Sequence, residues 1–163
     1  MTGNDINSVT LNLPDAPLQF RSTTDGATEV FDITRSRWIA FTPEERVRQH
    51  FVNYLVNHLG YPVGRIGNEI SISLNKTVKR CDTVVYDDSG KALMIVEYKA
   101  PQVAITRDVF EQIMRYALAL DAPWLVVSNG IRHFCARAIK NPQPSLRFVN
   151  AIPGYDSLAT PEP

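Results

Sequence analysis

The spacing of apolar and polar positions changes several times along the chain, and each change marks an element. Val47, Phe51, Tyr54, Leu55 and Leu59 recur at helical spacing, so one side of this segment is apolar. Thr42 can cap the helix and Pro43 suits its first position. Glu45 stands three residues after the cap and completes a capping box, and Gly60 followed by Pro62 supplies the stop. From Glu69 the period falls to two. Ile70, Ile72 and Leu74 alternate with Ser71, Ser73 and Asn75, which predicts a half-buried strand. Thr83–Tyr86 reads as a second strand, Asp87–Lys91 as a turn and Ala92–Lys99 as a third strand. The run Leu93-Met94-Ile95-Val96 predicts burial on both faces, and Pro101 ends the strand. A second helix follows from about Thr106 to Ala119, with Val109, Ile113, Tyr116 and Leu120 on one face. Trp124–Ser128 reads as a short buried strand, Asn129-Gly130 as a turn and Phe134–Ile139 as a last strand.

Upstream of the first helix, Leu18–Arg21 and Glu29–Asp32 flank a turn-rich stretch with Asp25-Gly26, the pattern of a β-hairpin. Residues 1–40 are therefore read as a hairpin extension and 41–140 as the core. Residues 141–163 carry Pro142, Pro144 and Pro153 and close on Pro-Glu-Pro, and read as a loosely ordered tail. The whole of 1–163 is expected to be one domain. The order of helix, three-strand meander, helix and strands predicts an α/β fold with a mixed central sheet flanked by helices.

Composition narrows the class. At 44% hydrophobic and 21% charged, the chain has the make-up of a globular protein rather than a disordered one. Cys81 and Cys135 have no CxxC or Cys/His spacing, which argues against zinc and a disulfide framework and for a reducing compartment. The segment Met1–Leu13 lacks the basic and apolar regions of a leader, and no apolar run approaches the ~18 residues of a membrane span; the expectation is a cytoplasmic protein without membrane contact. Seventeen basic and seventeen acidic side chains cancel, so the protein does not coat nucleic acid by bulk charge, although a local basic patch could still face a phosphate backbone.

The chemistry concentrates at Val96-Glu97-Tyr98-Lys99. Side chains alternate along a strand, so Glu97 and Lys99 point the same way from an otherwise apolar segment. Burying a carboxylate and an ammonium is costly unless they are matched or perform chemistry. Asp82 precedes the neighbouring strand. The turn at Asp87–Lys91 folds the two strands antiparallel, which can bring Asp82 to Glu97 or Lys99. Two hard carboxylates would hold Mg²⁺ at ~2.1 Å with several waters retained, and such an ion lowers the pKa of a bound water and offsets charge on a scissile phosphate. Lys99 would orient or deprotonate the water, or stabilise the transition state.

Asp82, followed fifteen residues later by Glu97-Tyr98-Lys99, resembles the PD-(D/E)XK nuclease signature in its Asp…Glu-X-Lys form. Thr42-Pro43-Glu44-Glu45-Arg46-Val47-Arg48-Gln49, Lys79-Arg80-Cys81-Asp82, Glu97-Tyr98-Lys99-Ala100-Pro101, Gln112-Ile113-Met114-Arg115-Tyr116 and Ser128-Asn129-Gly130 occur in that order. Together, over about residues 18 to 155, they are similar to the N-terminal nuclease domain of type I restriction enzyme R subunits, and closer still to short stand-alone proteins bearing that domain. The resemblance implies a restriction-endonuclease-like core and metal-dependent DNA cleavage. Asp82 and Glu97 become metal carboxylates and Lys99 the catalytic lysine. Mg²⁺ is the ion, and Mn²⁺ is able to substitute. A glutamate of the first helix often completes such a site. Glu44 shares the inward face of Val47 and Phe51, while Glu45 serves the capping box. Gln112 and Tyr116 match a QxxxY element and, on one helix face, would support the site or touch DNA, as would Lys79 and Arg80. The implied partners are DNA, restriction or defence proteins, and a second copy of the chain, since many such nucleases pair to cut both strands.

Cys81 stands where the signature's proline would be, and no GxxxxGK[ST] is present, so ATP-driven translocation is not expected of this polypeptide. The alternative is a catalytically silent DNA- or protein-binding module that keeps the nuclease fold; the same carboxylates acting on RNA or a nucleotide are a third reading. His50, His58 and His133 lack ligand spacing, and Trp38 and Trp124 read as packing residues.

Overall fold

The computed structural model describes residues 7–159. Strands β1 (Phe20–Ser22), β2 (Thr28–Asp32) and β3 (Arg37–Ala40) form a small antiparallel sheet. The expected hairpin is its first half, with Phe20 opposite Val30. The third strand adds a pair that the sequence pattern does not advertise, Phe31 against Trp38, whose rings meet edge to face at 5.4 Å.

Helix α1 spans Pro43–Leu59, and its ends are made as the sequence predicts. The Thr42 hydroxyl accepts from the Glu45 amide at 3.1 Å, and Gly60 takes the left-handed conformation at the stop. The return half of the capping box does not follow. The Glu45 carboxylate turns inward to Arg48, Gln49 and Arg35 instead.

The main sheet runs β4 (Ile66–Leu74), β5 (Thr77–Tyr86), β6 (Ala92–Tyr98), β7 (Trp124–Ser128), β8 (His133–Ile139) and β9 (Ser145–Val149), in that order. All neighbours are antiparallel except β6 and β7. A parallel pair needs a crossover, and helix α2 (Arg107–Leu120) supplies it. Val47, Phe51 and Leu55 of α1 pack on Met94, Val96, Tyr98 and Val126. Ile113, Tyr116 and Ala117 of α2 pack on Val84, Ile95, Leu125 and Val127. The sheet is thus covered on both faces, which is why every residue of β6 and β7 is buried.

Two expectations need correction. Asp82 does not precede the second strand of the meander. It lies inside β5, which begins five residues earlier at Thr77. The segment from Asn141 onward is not a loose tail either. Ser145–Val149 pairs with β8, and a short helix, α3 (Tyr155–Leu158), buries Leu158 against the α1 face. The prolines fall outside the strand, and Leu146 and Phe148 keep its two-residue alternation; Pro161–Pro163 lie beyond the described residues. The glycine of Ser128-Asn129-Gly130 has a positional reason: at φ 82°, a Cβ there would stand 2.7 Å from Leu11 and 3.1 Å from Val47.

A buried carboxylate helps tie the small sheet to the large one. Asp32 accepts from Thr34, Arg35 and Asn68. Asn68 in turn accepts from the Thr83 hydroxyl at 2.6 Å, which meets the Tyr98 hydroxyl at 3.0 Å. Burial pushes the Asp32 carboxyl up, but the hydrogen bonds and the Arg35 guanidinium outweigh it and hold it at about 2, below its ordinary 3.8. Because the folded value lies below the unfolded one, this stabilisation is complete above about pH 4 and is lost as pH falls toward 2. It amounts to roughly 2 kcal/mol at neutral pH. Asp32→Asn is expected to lower the urea midpoint at pH 7, with a smaller difference from wild type at pH 3. A constant difference across that range would show that the carboxylate's charge is not what matters.

Candidate active site

Strand β5 pairs with β4 along its whole length, from Leu74↔Thr77 to Ile66↔Val85. It pairs with β6 only from Thr83↔Val96 onward. The β4–β5 hairpin therefore projects past the end of β6, and the two strands part between Asp82 and Glu97. At the parting point the Asp82 side chain stands in for the missing ladder. Its Oδ2 accepts the Tyr98 backbone N–H at 2.8 Å, which would otherwise be an unpaired buried donor. Strict alternation also breaks here: Cys81 and Val84 both pack in the α2-side core while Thr83 turns toward Asn68 and Tyr98. Opposite, Glu69 adopts φ 57°, a left-handed conformation that costs a side-chain-bearing residue ~1–3 kcal/mol.

Glu97, 6% exposed, leaves the sheet at the same place. Lys99 Nζ lies 3.3 Å from Glu97 Oε1. Burial and the Asp82 carboxylate beside it raise the Glu97 carboxyl well above the usual range, partly countered by Lys99. Asp82 is also raised, by burial first, against the lowering effects of the Tyr98 amide and Arg48. The Asp82 and Glu97 carboxyls thus stand beside one another in the interior, each raised by burial first. The structure places Asp82 and Lys99 on either side of Glu97 where the strands part.

Glu44 is half-buried and its carboxyl is raised, by burial and then by Asp82, with Lys99 and Arg48 opposing. It faces the same cluster from α1. Among the described residues, however, no group of three or more His, Cys, Asp or Glu side chains is placed to hold a metal ion, so Glu44 stands beside the Asp82–Glu97 pair rather than in a common ligand sphere with it. Gln112 Nε2 donates to the Tyr116 hydroxyl at 3.3 Å. The Tyr116 phenol is raised by burial and by the nearby Glu97 carboxylate, which places this pair at the α2 edge of the site. Lys79 and Arg80 part company because neighbours on a strand face opposite ways. Lys79 is directed to the α2 side with Gln112 and Tyr116, whereas Arg80 turns to Glu69 at 3.1 Å. The histidines have packing roles: His133 Nδ1 meets the Ser128 hydroxyl at 2.8 Å, and His50 Nδ1 lies 2.9 Å from the Arg46 carbonyl.

Two contributions were not foreseen. Ser128 and Asn129 set the backbone around Lys99: the Lys99 amide donates to the Ser128 carbonyl at 2.9 Å, and Asn129 Nδ2 holds the Val103 carbonyl at 2.9 Å. Arg48 is the larger omission. Its side chain is 3% exposed and reaches Glu45 at 3.0 Å, Glu69 at 2.6 Å and Asp82 at 3.4 Å. It also lies over the Tyr98 ring, 5.7 Å from its centroid. Burial alone would lower its pKa, but the three carboxylates raise it, while Arg48 and Arg80 hold Glu69 below its ordinary value despite burial. The only sequence signal was position: Arg48 lies one helical turn after Glu44 and Glu45, on the α1 side that faces the site.

A cavity of about 490 Å³ lies elsewhere, lined by Leu11, Pro14, Tyr54, His133 and Ile152 among others, and contains none of these candidate residues.

A mixed sheet covered by helices, with acidic side chains and a lysine gathered where two strands part, is a nuclease-like fold. The chain belongs to the family described as the type I restriction enzyme R protein N terminus, whose model matches residues 43–153. That span begins with α1 and includes β9, so the site and the ordered C-terminal strand both fall inside it. No curated protein matches the chain. Among the described residues, no helix is long and apolar enough to cross a membrane.

Removing the buried cation should expose the repulsion it suppresses. Arg48→Met is expected to cost about 3 kcal/mol or more at pH 7 in chemical denaturation. The deficit should shrink as pH falls, because protonation relieves Glu45, Glu69 and Asp82. An unchanged deficit at acid pH would mean that lost packing, not charge, explains it.

Proposed function

We propose that this domain hydrolyses phosphodiester bonds of DNA in a PD-(D/E)XK-type site, with Mg²⁺ as its ion and Mn²⁺ able to replace it. The observation that carries this reading is the convergence of Asp82, Glu97 and Lys99 from two diverging strands, with the two buried carboxyls side by side and Lys99 Nζ 3.3 Å from Glu97. Side chains buried at such cost, with both carboxyl pKa values displaced, are the mark of a functional site.

The donor set fits a magnesium ion. Mg²⁺ is commonly held by one or two carboxylates and keeps several waters, so Asp82 and Glu97 suffice and Glu44 can act through an intervening water. When bound, such an ion lowers the pKa of a water and neutralises charge on the phosphate. The chain's own residues do the rest. Tyr98 N–H and Arg48 hold the Asp82 carboxylate in place. Lys99, fixed by its backbone bond to Ser128, sets an ammonium beside Glu97, where it stabilises charge developing on the phosphate or orients the attacking water. Gln112 and Tyr116 border the site from α2. Family membership supports DNA and restriction-system proteins as partners.

Two observations favour the second reading, a silent DNA- or protein-binding module. Arg48 already contributes a positive charge to Asp82, and no three-ligand cluster is formed among the described residues. Calorimetry with Mn²⁺ separates the two. Wild type is expected to bind with modest affinity that strengthens as pH rises, because the ion binds the deprotonated carboxylates and both are raised, and Asp82→Ala is expected not to bind. Equal binding by both proteins would favour the silent module. For catalysis, the expectation is Mn²⁺-dependent nicking of plasmid DNA that Lys99→Ala abolishes with its circular dichroism unchanged. Nicking that persists in that variant would exclude the site.

A further inference from the structure

The overhanging β4–β5 hairpin forms a second feature with α2. Leu74, Asn75, Thr77 and Lys79 of the hairpin and Gln112, Arg115 and Tyr116 of α2 line an open groove of about 310 Å³. Its lining contains two cations and no carboxylate. Neither Lys79 nor Arg115 has an ion-pair partner among the described residues, although most of the arginines at the site do. In a chain with zero net charge, two unpaired cations facing one groove are a local excess that the overall balance conceals. The lining also offers hydrogen-bonding groups at Asn75, Thr77, Gln112 and Tyr116.

Three features set this groove apart from an ordinary basic surface. First, it is built by the hairpin's departure from the sheet: between Thr77 and Asp82, β5 has β4 on one side and no strand on the other. Second, the hairpin turn holds Asn75 and Lys76 at φ 49° and 64°, the paired left-handed conformation of a tight two-residue connection. That turn keeps β4 and β5 in register out to the tip, so Lys79 sits on a defined strand rather than a loose loop. Third, the groove ends at Tyr116, whose phenol is within electrostatic reach of Glu97. Tyr116 thus lies between the groove it lines and the Glu97 carboxylate.

We infer that this groove is a phosphate-binding subsite for the nucleic-acid strand that enters the Asp82–Glu97–Lys99 site, with Lys79 and Arg115 gripping a flanking phosphate from opposite walls. Arg115 approaches from a helix and Lys79 from a strand, so a phosphate between them is neutralised on two sides. Arg80 is outside this grip because Glu69 holds it on the opposite face of the hairpin. The inference rests on the proposed nuclease reading for the strand's destination, but it predicts binding that can be measured without cleavage.

The test is anisotropy with a fluorescent DNA oligonucleotide, single-stranded and duplex, in EDTA, using the full chain. The doubly reversed variant Lys79→Glu/Arg115→Glu is compared with Arg37→Glu/Lys91→Glu, which makes the same change in net charge away from the groove. The groove variant is expected to weaken binding at least tenfold more than the control. Its log–log salt dependence should be shallower by about one, for the one phosphate no longer neutralised. Matching thermal melts of the two variants guard against a folding defect. Equal losses in both variants would overturn the subsite, as would no binding by wild type, or competition by inorganic phosphate as effective as that by DNA. Failure here is distinguishable from failure of the nuclease reading. Wild-type nicking that Lys99→Ala abolishes and the groove variant leaves intact sinks only the subsite. Groove-dependent DNA binding without nicking sinks only the hydrolysis.

Discussion

The structure around the site depends on one buried cation. Arg48 reaches three carboxylates at 2.6 to 3.4 Å from inside the protein. Without it, Glu45, Glu69 and Asp82 would face one another in a medium where like charges repel far more strongly than in water. The guanidinium can satisfy all three because its planar fork directs several donors at once; only its Nε lacks a partner. A lysine would place one point of charge where three directions are needed. Glu69, whose backbone is left-handed at φ 57°, is the nearest of the three at 2.6 Å.

From Arg48 a chain of alternating charge leads outward. Glu45 links Arg48 to Arg35, and Arg35 is bonded to Asp32 at 2.6 Å in the small sheet. A second, uncharged route returns through Asn68, Thr83 and Tyr98, whose backbone amide fixes Asp82. The three-strand sheet is thus more than an extension. It encloses one end of the network that positions the site, and its hydrogen bonds replace water for groups that would otherwise be buried without partners. Closed polar networks of this kind favour one arrangement over its neighbours, which suits a site whose two carboxyls must stay close despite their repulsion.

Much of the fold was legible in the residues. The Thr42 cap and Gly60 stop define α1 because both act within one helical turn. The apolar run Leu93–Val96 announced a strand covered on both faces. That Asp82 comes near Glu97 or Lys99 followed from a short antiparallel turn, although the ladder itself stops one residue short, at Thr83↔Val96. Other features were hidden because they depend on distant partners. Glu45 looked like half of a capping box until Arg48, Gln49 and Arg35 competed for its carboxylate. The prolines after Asn141 suggested looseness, yet a free β8 edge was available to pair with Ser145–Val149. Lys79 and Arg80 read as one basic pair, but pleating sends them to opposite faces.

Local chemistry in the sequence therefore determined α1, α2, most strands and the identity of the residues that meet where β5 and β6 part. The tertiary structure alone decided which charges are paired, and so which carboxyls are raised and which cations remain open to a partner. Helix caps, periodicity and turns are set by neighbours a few residues away. The balance of a buried charge is set by groups tens of residues apart in the chain, and its sign emerges only once they are brought within a few ångströms of each other in a dry interior.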